Sequence, residues 1–217
     1  MTGWEERAAS AQGRYEDGTV RLPDEGDERQ RQLTRMGNAA WAAGLALLML
    51  GRRQEAREWL LRAAETYRAS WPEAPPGSWG RPIGAMKSRL IAGDLEGALA
   101  DAQWALDAGA AAAESPIGRY AAALAELVLG HDDEAAALAD SLSDAESIPP
   151  AVTDSLVALA ARDAAAYEAA IRALVADFEA RDAYLEDIPV ADTVLALQAL
   201  AAERWIVIAL DSAVLPG

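Results

Sequence analysis

The stretch SPIGRYAAALAELVLGHDDEAAALADSL, residues 115–142, decides the fold. Ser115 before Pro116 is a helix start: the hydroxyl satisfies a free backbone N–H, and proline suits the first turn, where its missing N–H is not needed. An apolar run then ends at Leu129-Gly130, and an alanine follows five residues later at Ala135. Glycine after an apolar run marks a helix stop, so the stretch reads as helix, tight turn, helix. Working outward, the opening proline recurs. Pro82, Pro116, Pro150 and Pro189 are separated by 34, 34 and 39 residues. The closing glycine recurs too, as Gly51 before Ala56 and Gly93 before Ala98. One hairpin is thus repeated along the chain.

The helices between these marks carry one apolar face each. Ala56, Trp59, Leu60, Ala63 and Tyr67 stand at i, i+3, i+4, i+7 and i+11, and Tyr167, Ile171, Leu174 and Phe178 at i, i+4, i+7 and i+11. A helix is expected from Asp27 through Leu33, Met36, Ala40 and Leu47 to Leu50. The segment Pro72 to Pro82, with four prolines and two glycines, excludes regular helix over most of its length. A fourth hairpin starts at Pro149-Pro150 and turns near Arg162-Asp163 without a glycine. A last helix follows Pro189, with Val190, Val194, Leu197 and Ala201 as its buried stripe. Residues 205–210 then read as a short extended segment over the open end, the closure a helical array needs. Residues 1–27, with Gly13, Gly18, Pro23 and Gly26, are expected to be a loosely attached arm, anchored at most by Trp4 and Tyr15; residues 28–217 form a single helical-repeat domain.

Repeats of about 34 residues built from two helices resemble tetratricopeptide repeats. Leu50-Gly51, Glu55-Ala56 and Ala63 fall where that pattern has its turn and small packing residues. The expected fold is therefore all-α: a right-handed superhelical array of antiparallel helix hairpins, tetratricopeptide-like, with a short extended C-terminal cap.

Composition narrows the function. Hydrophobic residues are 52% of the chain but aromatics only 6%, so the core must be leucine with alanine at close helix contacts. There is no cysteine and one histidine, His131, which removes disulfides, iron–sulfur clusters and Cys/His zinc sites. The longest apolar run, Ala39 to Leu50, falls short of the roughly 20 residues that span a bilayer, and the N-terminus has no signal-peptide core. A cytoplasmic protein without membrane contact is expected. The net charge of −16 disfavours nucleic acid and allows a basic protein partner, although charge of this kind reports solubility before it reports partners. No nucleophile motif, phosphate-binding glycine loop or dinucleotide fingerprint is present, so the reading is non-catalytic, with no cofactor and no metal. A carboxylate-based hydrolase is the remaining enzymatic alternative.

The candidate binding residues are Trp79, Arg81, Lys87, Arg89, Arg119 and Tyr120. Trp79 and Arg81 sit on a rigid non-helical segment, and indole and guanidinium groups dominate interface hot spots; the alternative is that Trp79 packs on neighbouring hairpins and Arg81 caps a helix. Lys87, Arg89 and Arg119 belong to first helices of hairpins, which in such arrays line one face. His131-Asp132-Asp133-Glu134 reads as acids opposing a helix dipole rather than as metal ligands.

The C-terminal residues Ile188-Pro189-Val190-Ala191-Asp192, the alanine- and leucine-rich helix through Ala202 and the apolar tail ending Asp211-Ser212-Ala213-Val214-Leu215-Pro216 resemble the immunity-49 family of bacterial polymorphic toxin systems. The resemblance implies an all-helical protein that binds and blocks a cognate toxin. Where such tails have Arg-Gly after the helix, this chain has Arg204-Trp205. Two functional classes follow: a toxin-sequestering immunity protein, or a general helical-repeat scaffold that binds peptides or proteins.

Overall fold

The computed structural model describes residues 3–217. Ten α-helices are present among them, and no strand: α1 Gly3–Val20, α2 Gly26–Met49, α3 Arg53–Ala69, α4 Gly80–Ala92, α5 Leu95–Asp107, α6 Pro116–Leu129, α7 Asp132–Asp140, α8 Pro150–Ala160, α9 Ala164–Glu179 and α10 Asp192–Glu203. Each helix from α1 to α9 packs on the next, giving the hairpins α2/α3, α4/α5, α6/α7 and α8/α9. The all-α hairpin array read from the sequence is what the chain forms.

Local chemistry explains the boundaries. Ser115 accepts a hydrogen bond from the Gly118 N–H at 3.3 Å, and Asp94 and Asp163 cap α5 and α9 in the same way. Pro116 and Pro150 open α6 and α8, whereas Pro82 is the third residue of α4 and Pro189 precedes α10 by three residues. Alanine lets the helices close up: Ala40, Ala42, Ala43 and Ala46 of α2 and Ala121, Ala122, Ala123 and Ala125 of α6 are fully buried, while Leu45, Leu47, Leu60, Leu124, Leu127, Leu156 and Leu174 fill the volume between.

Two elements differ from the sequence reading. Residues 3–20 are not a loose arm but helix α1, packed along α2. Ala8, Ala11 and Gly18 are buried, and Trp4 and Tyr15 lie on the same side. These positions step by four and three, a helical period carried by small residues and broken in appearance by glycine. The second difference is α10. The first helices of successive hairpins form a row, α4 on α6 and α6 on α8, and α10 lies against α4 and α8 of that row and against α9. It is therefore not a further layer of the stack. Ile188 and Val190, just before it, pack into the cluster built on α2 and α3, and Val194, Leu197 and Leu200 into the larger cluster of the later hairpins. The tail after it is extended and alternates in burial: Ile206 is buried, while Trp205 and Val207 face solvent. Gln198 donates to the Ile208 carbonyl at 2.8 Å and the Ala191 N–H to the Val214 carbonyl at 2.9 Å, holding the tail on α10. No described helix is long and apolar enough to cross a membrane.

Candidate functional site

The six candidate residues do not form one site. Trp79 stands at the start of α4 with its ring in the core, 5.7 Å from Trp71, which in turn meets Trp104 edge-on at 5.5 Å. It is a packing residue. Lys87, Arg89 and Arg119 do not converge. Arg89 bridges Asp101 at 2.7 Å and Asp94 at 2.6 Å; Arg119 donates to the Ser141 carbonyl at 2.9 Å; Lys87 pairs with Asp192 and donates to the Thr193 hydroxyl at 2.9 Å. The physical reason is that α10 covers the row of first helices and brings its own acid to Lys87. Tyr120 is buried, and burial, helped by the charge on Asp192, pushes its phenol well above the ordinary value. His131 immediately precedes α7, its Nδ1 2.7 Å from a Glu126 carboxylate oxygen, and no group of three or more metal-binding side chains exists among the described residues.

Arg81 and Lys87 do share a cavity, of about 460 Å3, between α2, α4 and the segment that leads into α10. Thr34, Asn38 and Trp41 line it from α2, Tyr67 from α3, and Leu185 and Asp192 from the C-terminal segment. Its wall depends on two glycines inside helices. A Cβ at Gly37 or at Gly84 would stand 2.8 Å from the Tyr67 ring, so the ring slots between α2 and α4 only because both positions lack a side chain. The Tyr67 hydroxyl donates to Asn38 Oδ1 at 2.8 Å; burial first, then Asp192 and Glu186, holds this phenol far above its usual range and keeps it protonated. Beside the cavity, Glu186 and Asp187 both adopt left-handed backbone. Arg14 of α1 pairs with Glu186 at 3.0 Å, and Arg7 donates to the Asp187 carbonyl at 3.2 Å. Strain of this kind persists only where neighbours over-determine it.

Arg81 is 7% exposed and, among the described residues, has no carboxylate partner. Its guanidinium donates to the Thr34 hydroxyl at 3.1 Å and to Gln30 Oε1, both neutral, and Nη1 is buried without a partner. Desolvation accordingly lowers its pKa. Gln30, Thr34, Asn38 and Tyr67 were not among the candidates. Their signal was polar residues on the inward face of α2 and the two mid-helix glycines.

A second feature lies at the edge where the hairpins turn. Gly51, Gly93, Gly130, Arg162 and Trp205 all have left-handed backbone after a helix, and each is followed by an N–H that reaches back to the helix's last turn, as Ile206 N–H does to the Ala201 carbonyl at 2.9 Å. Only the first three are glycine. Trp205 is 93% exposed. Near it, exposed Leu95 and Leu99 border a depression of about 190 Å3 completed by Glu203 and Arg204. Arg204 is fixed by the Leu127 carbonyl at 2.8 Å and by Asp132 at 2.6 Å. Comparisons with protein-family models, curated proteins and solved structures find no match for this chain.

Proposed function

We propose that this chain is a non-catalytic protein-binding module that engages a basic partner through the edge where its hairpins turn. One observation carries the reading: Trp205 holds a large apolar ring in solvent on a backbone conformation that favours glycine. An L-residue there costs about 1–2 kcal/mol, and an indole in water adds no packing in return; backbone strain kept at an exposed tryptophan points to an interface. Exposed Leu95, Leu99 and Val207 supply apolar area nearby, Glu203, Asp133 and Glu134 supply acids, and the net charge of −16 attracts a positive surface. The finer form of the reading is an immunity protein that sequesters a basic toxin domain, supported by the C-terminal resemblance. A general peptide-holding scaffold is the second reading, and α10 weighs against it because it covers the face such scaffolds leave open.

The test compares the full-length protein with Trp205→Gly. The variant is expected to be more stable, by about 1 kcal/mol, yet to lose a stoichiometric basic partner that the parent captures at moderate salt. Co-expression with that partner should show protection by the parent and loss of protection by the variant. Equal capture by both proteins would remove Trp205 from the interface.

A further inference from the structure

The cavity around Arg81 is independent of the Trp205 edge and asks for a different occupant. Two cations line it, and they are not in the same state. Lys87 is neutralised by Asp192 and hydrogen-bonded to Thr193. Arg81 is buried, satisfied on one side by neutral oxygens only, and leaves Nη1 without a partner among the described residues. Burying a charge is strongly unfavourable unless a counter-charge and hydrogen bonds accompany it, and in a chain with 35 acids against 19 bases a carboxylate for Arg81 would have been easy to supply. The cavity is thus one negative charge short. The apolar part of its wall is the indole of Trp41, the ring of Tyr67, Ile83 and Leu185, beside the polar Thr34, Asn38 and Ser78, and its volume of about 460 Å3 is within the range of small-molecule sites.

We propose that this cavity binds a small organic monocarboxylate with an apolar, planar body. The carboxylate takes the place opposite Arg81 and pairs with Nη1, the guanidinium nitrogen left without a partner while Nε and Nη2 are engaged by Thr34 and Gln30. The body lies among Trp41, Tyr67, Ile83 and Leu185. A single uncompensated cation matches one negative charge, which favours a carboxylate over a phosphate dianion. The carboxylate belongs either to a free acid or to the end of a peptide chain.

The experiment measures binding to the full-length protein by calorimetry and by thermal shift, with sodium phenylacetate, neutral phenylacetamide, phenyl phosphate and N-acetylphenylalanine as probes. Phenylacetate is expected to bind and raise the melting temperature, with phenylacetamide and phenyl phosphate weaker. N-acetylphenylalanine binding more tightly than phenylacetate would assign the carboxylate to a chain end, and more weakly to a free acid. Arg81→Met should weaken phenylacetate about 10- to 100-fold, the span of one charge-assisted contact, while leaving the unliganded protein as stable or more so, since an unbalanced buried charge is removed. Should that variant fail to fold, Leu185→Asp decides, because this half-exposed wall residue tolerates a charge and repels a carboxylate. Absence of phenylacetate binding, equal binding of the amide, preference for phenyl phosphate, or unchanged affinity in the folded variants would each overturn the proposal.

Discussion

Gly93 and Trp205 occupy the same kind of position, one and two residues past a helix end with φ near +65°, and differ in what the side chain does there. Glycine has no Cβ to collide with the carbonyl, so the turn is unstrained. Gly93→Ala is expected to lower stability by about 1 kcal/mol, with urea unfolding as the measurement, and Trp205→Gly to raise it by a similar amount. A fall in stability for Trp205→Gly would mean that the ring holds the tail in place. The glycine stops were legible in the sequence because the requirement is local. The same stop at Arg162 was legible only as a turn, since Asp163, which accepts the Ala165 and Ala166 N–H groups at 3.0 Å, restarts the chain as α9.

At the scale of the element, α1 shows how a helix escapes notice. Its inward residues are Ala8, Ala11 and Gly18, which bury little area individually and carry weak hydrophobic signal, with Trp4 and Tyr15 supplying the larger contacts. Tyr15 meets Trp59 edge-on at 5.5 Å, and Arg62 stacks over both rings. Deleting residues 1–20 is expected to cost about 3 kcal/mol, the burial of a few side chains, read as an earlier denaturation midpoint and a change in tryptophan fluorescence as Trp59 is uncovered. An unchanged midpoint would show α1 to be dispensable for stability. By contrast the Tyr67 wedge between Gly37 and Gly84 is a property of three helices together. Two glycines in helical stretches mark a close approach, but nothing in the linear order says that one ring from α3 meets both.

For the whole molecule, Asp132 acts as a clasp. It accepts from Arg204 after α10 at 2.6 Å and from Arg162 after α8 at 3.0 Å, so the start of α7 is tied to two elements distant in sequence. Burial works to raise its pKa, but the two guanidinium hydrogen bonds outweigh this and hold it below the ordinary aspartate value. A carboxylate depressed in the folded state stabilises the fold above its unfolded pKa, about 4, and that contribution is lost as pH falls through the lower folded value. Acid unfolding of the parent should therefore steepen below about pH 4, and Asp132→Asn should be less stable at neutral pH with a flatter acid limb. A variant with the parent's full acid dependence would assign that dependence to other carboxylates.

The amino-acid sequence by itself determined the class of fold, the four hairpins and nearly all their turns, because caps, prolines, glycines and the spacing of apolar residues act within a few residues of where they stand. It also settled, through composition, that the core would be leucine spaced by alanine. Tertiary structure alone decided that α10 lies on α4, α8 and α9 rather than extending the stack, that Lys87 is neutralised by Asp192 while Arg81 is left without a counter-charge, and that Trp79 is buried while Trp205 is exposed. Those outcomes depend on which distant surfaces meet. Burial and charge balance are sums over neighbours that the order of residues does not make adjacent.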